Sequence, residues 1–468
     1  MLVEVGVAAM FIGVVNSVLI LKEVIYRKYQ RIQMEVEYPA TTSKRTISFI
    51  DLKDDCMIKI FSYLHLSEIL KFALFSDVWD PLIEKVIASG QYLDIKFLYE
   101  TCPKDQVRHI LMQFGPRIKE LVIQRTRMEF YEELLQVADY FSSLEYLRFC
   151  DMDQPRIITQ NFTAAVQNLK RLDYLFTRCD DDILSDISKW QTLEAVNFSC
   201  SKTVTGNHVH ALKNVVDLNL NSCKGITSKA FVEICNSLKL KALNIFGCDQ
   251  LDEASFEALV NTQTELESLS ISHMYETSNM ETIAQITSLK HLRIHQDPEF
   301  DNEMQLLTDF AEQQNDSLEF LEIYEDPFTM LGFNITDENR DQIIQLKSVN
   351  KLSLCFLTRV PTRMITEIAE GLPNLTSLNL MGVSVIDLSA LLDIIRVAKN
   401  LVKLNISQTR EFSNSDYKPI LDTLVENNSK PILMNVSFTG FTWKFLQSPE
   451  YQEGQHMLKL SFGAGHLF

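Results

Sequence analysis

The sequence predicts an α/β fold in which a small helical module precedes a long solenoid of repeats. Three observations point to this arrangement. The chain of 468 residues is too long for one compact core. The stretch Leu52–Trp79 is dense in apolar residues with helical spacing, and a leucine-containing unit recurs from Ile118 onwards. A solenoid can lengthen with the chain because each repeat contacts only its neighbours.

The composition indicates an ordinary globular protein and excludes several functional classes. Apolar residues make up 46% of the chain and charged residues 23%, which gives no sign of extended disorder. The formal net charge is -18, whereas a nucleic-acid interface needs a basic stripe, so we expect no nucleic-acid partner. The nine cysteines are odd in number and form no Cys-x-x-Cys pair, which favours a reducing compartment, either cytoplasmic or nuclear.

Residues 1–34 are predicted to form an N-terminal apolar helix with the potential to anchor the chain in a membrane. Val5–Leu21 carries no charge, but its length is at the short end of the range of about 17–25 residues for a spanning helix. Basic residues follow it and would keep the rest of the chain on the cytosolic side. An amphipathic or buried helix and a cleaved signal peptide are the alternatives. Residues 35–46 are predicted to be a short polar linker.

A helical hairpin is predicted within residues 47–90, with its two helices meeting at Leu64–Leu66. Asp54 is placed to cap the first helix, and Ser67 with Glu68 to open the second. The apolar residues cover more than one helical face, whereas so small a hairpin can hide only one stripe internally. The hairpin is therefore either a core piece of a larger helical domain or a docking module that completes its core against a partner.

A leucine-rich-repeat signature occupies residues 118–437, after a predicted helical connector at residues 91–117. Its unit is an apolar residue, two variable residues, leucine, one variable residue and a second apolar residue. Val215–Cys223 and Leu240–Cys248 are two successive copies. The thirteen copies begin at Ile118, Leu144, Leu172, Leu193, Val215, Leu240, Leu266, Leu289, Leu318, Val349, Leu375, Leu401 and Pro431.

Each repeat is predicted to place a strand on one wall of the solenoid and a helix on the other. Strand side chains alternate, so the last two apolar residues of each unit point inwards and successive strands form a parallel sheet on the concave wall of a horseshoe. Thr227 and Asp252 are predicted caps of helices on the convex wall. The aromatic-rich segment 438–468 is expected to cap the last repeat or to fold back onto the concave wall.

The hairpin sequence resembles the F-box, the module by which substrate receptors bind the Skp adaptor of cullin-based ubiquitin ligases. Phe61-Ser62-Tyr63-Leu64 and Trp79 match the family pattern, whereas Lys53 replaces its usual proline. The repeats resemble the cysteine-containing leucine-rich type commonly paired with an F-box, in which Cys223 and Cys248 would be small buried residues. The resemblance implies a substrate-recognition subunit that binds the Skp adaptor and, through it, a cullin scaffold. It assigns the adaptor interface, or the small core behind it, to Leu52, Ile58, Ile60, Phe61, Leu64, Leu66, Leu70, Leu74 and Trp79.

The variable strand positions between the inward residues face the predicted concave wall, where a protein substrate would bind. Aromatic and arginine side chains are enriched at binding hot spots. Two neighbouring repeats supply them at His291, Arg293, His295, Phe320, Glu322 and Tyr324. A second candidate patch comprises Tyr146, Arg148, Tyr174, Phe176 and Arg178. The alternative interpretation of both patches is an ordinary solvated face or one covered by the C-terminal segment.

The sequence contains no enzymatic motif, so we expect a non-catalytic protein without a cofactor. Phosphate-binding glycine loops, the HExxH zinc motif and the nucleophile elbow are all missing from it. The competing hypothesis is a membrane-linked or extracellular leucine-rich-repeat adhesion protein, glycosylated at the sequons of Asn161 and Asn334. The unpatterned cysteines favour the ubiquitin-ligase hypothesis over this one.

Overall fold

The chain divides into two compact units, Met1–Leu172 and Asp173–Phe468. A computed structural model describes residues 33–35, 46–48, 54–61, 64–124, 136–152, 155–177, 179–272, 282–296, 317–325, 335–357, 359–409, 412–427 and 429–462. Leu52 and the apolar run Val5–Leu21 lie outside these ranges. Within the ranges, no helix combines the length and the apolar character that crossing a bilayer requires.

The N-terminal unit joins a helical module to short parallel strands. Its strands are β1 (Gln33–Glu35), β2 (Thr46–Ser48), β3 (Leu93–Asp94), β4 (Glu120–Gln124) and β5 (Tyr146–Cys150). Its α-helices are α1 (Asp54–Phe61), α2 (Leu66–Ile69), α3 (Asp80–Ala88), α4 (Ile95–Thr101), α5 (Lys104–Phe114) and α6 (Pro155–Ala165). Single 3-10 turns cover Leu70–Leu74, Asp77–Trp79, Gly115–Arg117 and Ala138–Tyr140. Strands β1 and β2 pair antiparallel, whereas β3, β4 and β5 pair in parallel in that order.

The C-terminal unit repeats a strand-then-helix pattern, after strand β6 (Arg171–Leu175) at the boundary between the units. Its other strands are β7 (Ala195–Asn197), β8 (Asp217–Asn219), β9 (Ala242–Asn244), β10 (Ser268–Ser272), β11 (His291–Gln296), β12 (Phe320–Glu325), β13 (Lys351–Cys355), β14 (Ser377–Asn379), β15 (Lys403–Asn405), β16 (Ile432–Asn435) and β17 (Leu458–Ser461). Its α-helices are α7 (Asp181–Ile187), α8 (Ser228–Ser237), α9 (Glu253–Thr262), α10 (Asp337–Gln345), α11 (Thr362–Gly371), α12 (Leu388–Val397), α13 (Tyr417–Glu426) and α14 (Pro449–Gly454). Short 3-10 helices cover Val209–Ala211, Asn414–Asp416 and Trp443–Gln447.

Each strand from β7 to β17 pairs in parallel with its sequence neighbour. The inward pair of a repeat is buried, as Leu218 and Leu220 show, and the helix that follows buries Phe231 and Ile234 against it. Neither layer could bury its apolar side alone, so neighbouring repeats share one continuous core. These features confirm the predicted α/β leucine-rich-repeat solenoid.

The two helix caps predicted within the repeats are confirmed. The Thr227 side chain accepts a hydrogen bond from the N–H of Ala230 at the start of α8. The Asp252 side chain accepts one from the N–H of Ser255 at the start of α9. Each cap satisfies an N–H that has no carbonyl partner within its helix, which is worth about 1 kcal/mol.

The predicted role of the repeat cysteines is also confirmed. Cys223 and Cys248 are buried in the turns after their strands. The Sγ atom of Cys223 donates to the Phe198 carbonyl at 3.0 Å, and that of Cys248 to the Leu220 carbonyl at 3.2 Å. Burial raises the pKa of the Cys223 thiol to about 12, so this group stays a neutral donor.

Asparagine at the variable position between the inward residues sets the length of a strand. In six repeats its side-chain oxygen accepts a hydrogen bond of 2.9–3.1 Å from the backbone N–H two residues later. That N–H therefore does not donate to a carbonyl of the neighbouring strand. These strands have only three or four residues, and the asparagines are Asn197, Asn219, Asn244, Asn379, Asn405 and Asn435. Strands with Arg148, Ser270, Arg293, Glu322 or Ser353 at this position run for five or six residues.

One repeat begins three residues earlier than predicted. The two N–H groups that follow Leu169 both donate to the Glu145 carbonyl, which is how the neighbouring repeats begin. Leu169 and Leu172 are both buried, and so is Tyr174. The frame therefore starts at Leu169, and Tyr174 is the second inward residue. Leucines at positions 169, 172 and 175 fit both frames, so the spacing alone is ambiguous there.

Each unit contains one repeat strand beyond the predicted limits of the repeats. Strand β3 lies inside the predicted connector 91–117, and strand β17 lies inside the predicted cap 438–468, paired in parallel with β16. Both strands bury apolar residues at the inward positions, which favours pairing over helix or coil. Residues 33–34, predicted as the end of an apolar helix, belong to strand β1, where polar and apolar residues alternate with the period of a strand.

Candidate partner-binding surfaces

Helix α1 packs one stripe inwards and leaves its flanks partly open. Met57 and Phe61 are one helical turn apart, and both are buried. Ile58 and Ile60 lie on either side of this stripe and are half-buried. The outermost position, Lys59, is exposed. The first helix thus supplies both a core face and partly accessible apolar flanks.

An aromatic cluster holds the second half of the hairpin against the first. The ring centroids of Phe61 and Phe72 are 5.2 Å apart, and Trp79 lies 6.4 Å from Phe61 and 5.6 Å from Phe72. Leu66 and Leu70 are fully buried beneath it. The second half is not one α-helix as predicted, because α2 gives way to 3-10 turns at Leu70.

The predicted adaptor residues therefore separate into two groups. Phe61, Leu66 and Leu70 are already buried within the chain, so they belong to its own core. Ile58, Ile60, Leu64, Leu74 and Trp79 remain half-buried and are the ones that a partner can still cover. Leu52 lies outside the described residues.

Two further apolar residues are more exposed than any predicted adaptor residue that the structure describes. Phe75 is 37% exposed and Val78 is 63% exposed, on either side of the turn that leads to Trp79. Neither residue is among those that the resemblance to the F-box assigned to the adaptor interface. The sequence feature that could have identified them is the apolar stretch itself, which contains more apolar residues than so small a hairpin can bury.

The start of α2 differs from the prediction. His65 is the residue before the helix, and its N–H donates to Glu68 Oε2 at 3.2 Å, so Glu68 does help to open the helix. Ser67 lies one residue inside the helix, where it is 1% exposed. Its hydroxyl has no hydrogen-bond partner among the described residues. A serine caps a helix only from the position before it, which is His65 here, so Ser67 is two residues too late.

A ring contact joins the hairpin to helix α4, which follows strand β3 in the same unit. The His65 ring stacks on Phe97 of α4 at 5.4 Å. Next to them, buried Asp94 of β3 accepts hydrogen bonds from the Lys96 N–H at 3.0 Å and from Gln124 Nε2 at 2.6 Å. Burial raises the pKa of Asp94 above its ordinary value, against the opposing effect of the Lys96 N–H.

The predicted substrate patch on β11 and β12 comes together as three cross-strand pairs. His291 is opposite Phe320, Arg293 is opposite Glu322, and His295 is opposite Tyr324. Arg293 Nε lies 3.0 Å from Glu322 Oε2. The Arg293 guanidinium also lies over the Phe320 ring, 5.3 Å from its centroid.

Phe320 is buried, which differs from the predicted exposed anchor. The side chains of His291 and Arg293 cover it, and it is only 6% exposed. Burial, with the charges of Arg293 and Lys351 as smaller causes, lowers the pKa of His291 below its ordinary value of 6.5. His291 is therefore mostly a neutral ring at physiological pH, whereas the guanidinium of Arg293 is a cation.

Hydrogen bonds extend the patch to residues that the sequence-based prediction missed. Ser353 Oγ on β13 donates to Glu322 Oε1 at 2.9 Å, and Asn379 Nδ2 on β14 donates to Ser353 Oγ at 3.0 Å. Arg293, Glu322, Ser353 and Asn379 occupy the same repeat position on four successive strands. Aligning the repeats by that position would have identified them.

The far side of the patch rests on an aromatic contact. Tyr324 meets the ring of Phe356 edge to face, with centroids 5.8 Å apart. Phe356 itself sits in a left-handed turn with a φ of 59°. A Cβ atom on Gly382, in the turn of the next repeat, would lie 2.3 Å from this ring. Gly382 thus makes room for the aromatic residue that supports Tyr324.

The second candidate patch does not form as predicted. In the N-terminal unit, the Tyr146 ring is flanked by the guanidinium groups of Arg148 at 5.1 Å and Arg171 at 5.2 Å. In the C-terminal unit, Tyr174 is a buried inward residue, whereas Phe176 is 76% exposed. Arg178 lies outside the described residues. Tyr174 was assigned to the surface because the frame of its repeat was set three residues too late.

Comparison with known proteins identifies similar folds but no family. No family model and no curated protein matches the sequence. The structure is similar to the leucine-rich repeat-containing protein LegL7 from Legionella pneumophila, at 11% identity over 64% of this chain and 93% of that chain, with a TM-score of 0.41. It is also similar to an internalin from Listeria monocytogenes, at 16% identity over 70% of this chain and 83% of that one, with a TM-score of 0.37. A chain of the Rad7–Elc1 complex in yeast has 17% identity over 90% of this chain and 98% of its own, with a TM-score of 0.40.

Proposed function

We propose that this chain is the substrate-recognition subunit of a Skp–cullin–F-box type ubiquitin ligase. In this proposal the hairpin α1–α2 with its 3-10 turns binds the Skp adaptor, and the face of the repeat sheet that points away from the helices, which we name the strand face, binds a protein substrate. The chain would carry out no chemistry. It would hold substrate lysines at high effective concentration near the conjugating enzyme that the cullin recruits.

The observation that carries the proposal is the exposed apolar surface of the hairpin. Val78 is 63% exposed and Phe75 is 37% exposed, next to half-buried Trp79, Leu74 and Leu64. Apolar side chains concentrated in this way mark a protein–protein contact more often than ordinary surface does. They fall in the one segment whose sequence resembles an adaptor-binding module.

The strand face supports the second half of the proposal. The Arg293 and Glu322 pair, flanked by Tyr324 and His291, offers charged, aromatic and hydrogen-bonding groups side by side. Arginine and tyrosine are common anchors of protein interfaces. A parallel sheet of many short strands presents such groups at a regular spacing of about 4.8 Å across the strands.

The state of the cysteines supports a reducing compartment, cytosolic or nuclear, for this function. All nine cysteines of the chain are unpaired, including the buried Cys223 and Cys248. The extracellular alternative relied in part on glycosylation of Asn161. That residue lies within helix α6, whereas glycosylated sequons lie in surface loops.

The proposal can be tested by binding of the full chain to purified Skp adaptor. Val78→Gln places a polar group where the interface would otherwise be apolar, at a cost of about 1–3 kcal/mol or roughly 5–150-fold in affinity. Val425→Gln is the matched control, because Val425 is 56% exposed on helix α13 of the other unit. We expect the wild type and Val425→Gln to bind equally and Val78→Gln to bind much more weakly. Equal affinity of all three chains, or no binding by the wild type, would refute the proposal.

A further inference from the structure

The charge of the strand face changes at its C-terminal end. Strands β13–β17 contain three lysines and no acidic residue, in a chain with 62 acidic and 44 basic residues. The lysines are Lys351, Lys403 and Lys459, and each is exposed between buried inward neighbours. These strands therefore contribute three positive side chains and no negative one, on a protein of net charge -18.

The three lysines occupy one row that runs straight across the strands. Lys351 is opposite Ser377, Ser377 is opposite Lys403, Lys403 is opposite Leu433, and Leu433 is opposite Lys459. A lysine thus stands on every second strand. Because neighbouring strands are about 4.8 Å apart, the lysines recur at intervals of about 10 Å.

A buried hydroxyl lies between two of these lysines. Ser377 is 2% exposed, and its Oγ has no hydrogen-bond partner among the described residues. An unsatisfied buried hydroxyl is unfavourable, so a ligand oxygen that reached the Ser377 hydroxyl would gain a hydrogen bond at little cost to the fold. Two flanking cations and one unsatisfied donor together indicate an anionic ligand group, and a carboxylate accepts from both kinds of donor.

We propose that the row Lys351–Ser377–Lys403–Leu433–Lys459 is a docking site for an acidic α-helix of a partner protein. One helical face presents residues seven apart at intervals of about 10.5 Å, which matches the lysine spacing. An extended peptide does not match, because residues three apart cover about 10 Å but point to opposite sides. Carboxylates at heptad spacing therefore meet the lysines, and an apolar residue between them meets the half-buried Leu433. The row begins next to the patch of His291 to Tyr324, because Lys351 is opposite Phe320. It includes no residue of the hairpin, so binding of an acidic helix to the row and binding of the Skp adaptor to the hairpin can fail separately.

The test measures binding of the full chain to a fluorescent helical peptide of about 20 residues with glutamates at heptad spacing on one face. The comparison peptide has the same composition with the glutamates distributed around the helix. We expect the heptad peptide to bind more tightly, with a loss of roughly threefold for Lys403→Gln and a larger loss for the triple variant at Lys351, Lys403 and Lys459. Lys229→Gln on helix α8 removes the same charge away from the row and should leave the affinity unchanged.

A charge exchange makes the test specific. Lys403→Glu should weaken binding of the heptad peptide, and a peptide whose central glutamate is replaced by lysine should restore it. Thermal unfolding of each variant checks that the fold is retained. Equal binding of the two glutamate peptides, equal losses for Lys403→Gln and Lys229→Gln, or tighter binding of a single-stranded oligonucleotide of the same charge would each overturn the proposal.

Discussion

Replacing Gly382 by alanine tests whether the turns of the repeats support the candidate site. Gly382 has a φ of 70°, a conformation that costs an L-residue about 1–2 kcal/mol. Its new Cβ would also lie 2.3 Å and 2.5 Å from two ring carbons of Phe356, so the ring must move at a further cost of about 1–3 kcal/mol. The expected total is a loss of about 2–5 kcal/mol.

Gly247→Ala separates the two causes. Gly247 has a φ of 66° in the equivalent turn, but the nearest atom to its new Cβ is the Ser222 Cα at 3.3 Å. It should therefore lose only the backbone contribution of about 1–2 kcal/mol. The assay is urea unfolding of the full chain, and the measured quantity is the unfolding transition of the C-terminal unit. Equal destabilisation by the two alanines would refute the claim that the Phe356 ring is wedged against Gly382.

Two further predictions concern charged groups. The effects of Arg293→Gln and Glu322→Gln on the free energy of unfolding in urea should be non-additive by about 0.2–1 kcal/mol, because the ion pair is partly exposed. This coupling energy should shrink in high salt. A coupling energy of zero would show that the pair is not formed. Burial raises the pKa of Asp94, so folding favours its protonated form and its stabilising contribution is lost as the pH rises through the folded pKa. Asp94→Asn should therefore stabilise the chain near neutral pH, and this gain should fade as the pH approaches the ordinary value of 3.8; a gain independent of pH would contradict the assignment.

The repeat architecture was predictable because the same sequence unit recurs many times along the chain. Every copy places apolar residues at the same inward positions, and a strand that slipped by one residue would expose them. The register failed where the spacing was degenerate, at the leucines 169, 172 and 175, and Tyr174 was misplaced with it. Strand β17 was missed because a single copy at the end of the chain has no following copy to confirm it.

The candidate sites were predictable as positions but not as surfaces. Arg293 and Glu322 were correctly placed on neighbouring strands, because the repeat frame fixes their register. That Phe320 is covered by their neighbours depends on side-chain packing, which no repeat pattern encodes. In the hairpin, the pattern could not separate buried Leu70 from exposed Val78, because tertiary contacts with α3 to α5 decide which apolar side chains remain accessible.

The most direct test of the proposed function is hydrogen–deuterium exchange of the full chain with and without the Skp adaptor. We expect slower exchange in residues 54–79 on binding, with unchanged exchange in strands β11 and β12. Those strands stay free because their partner would be the substrate. Protection of the strand face by the adaptor, or no protection of the hairpin at saturating adaptor, would contradict the division of the chain into an adaptor-binding hairpin and a substrate-binding sheet.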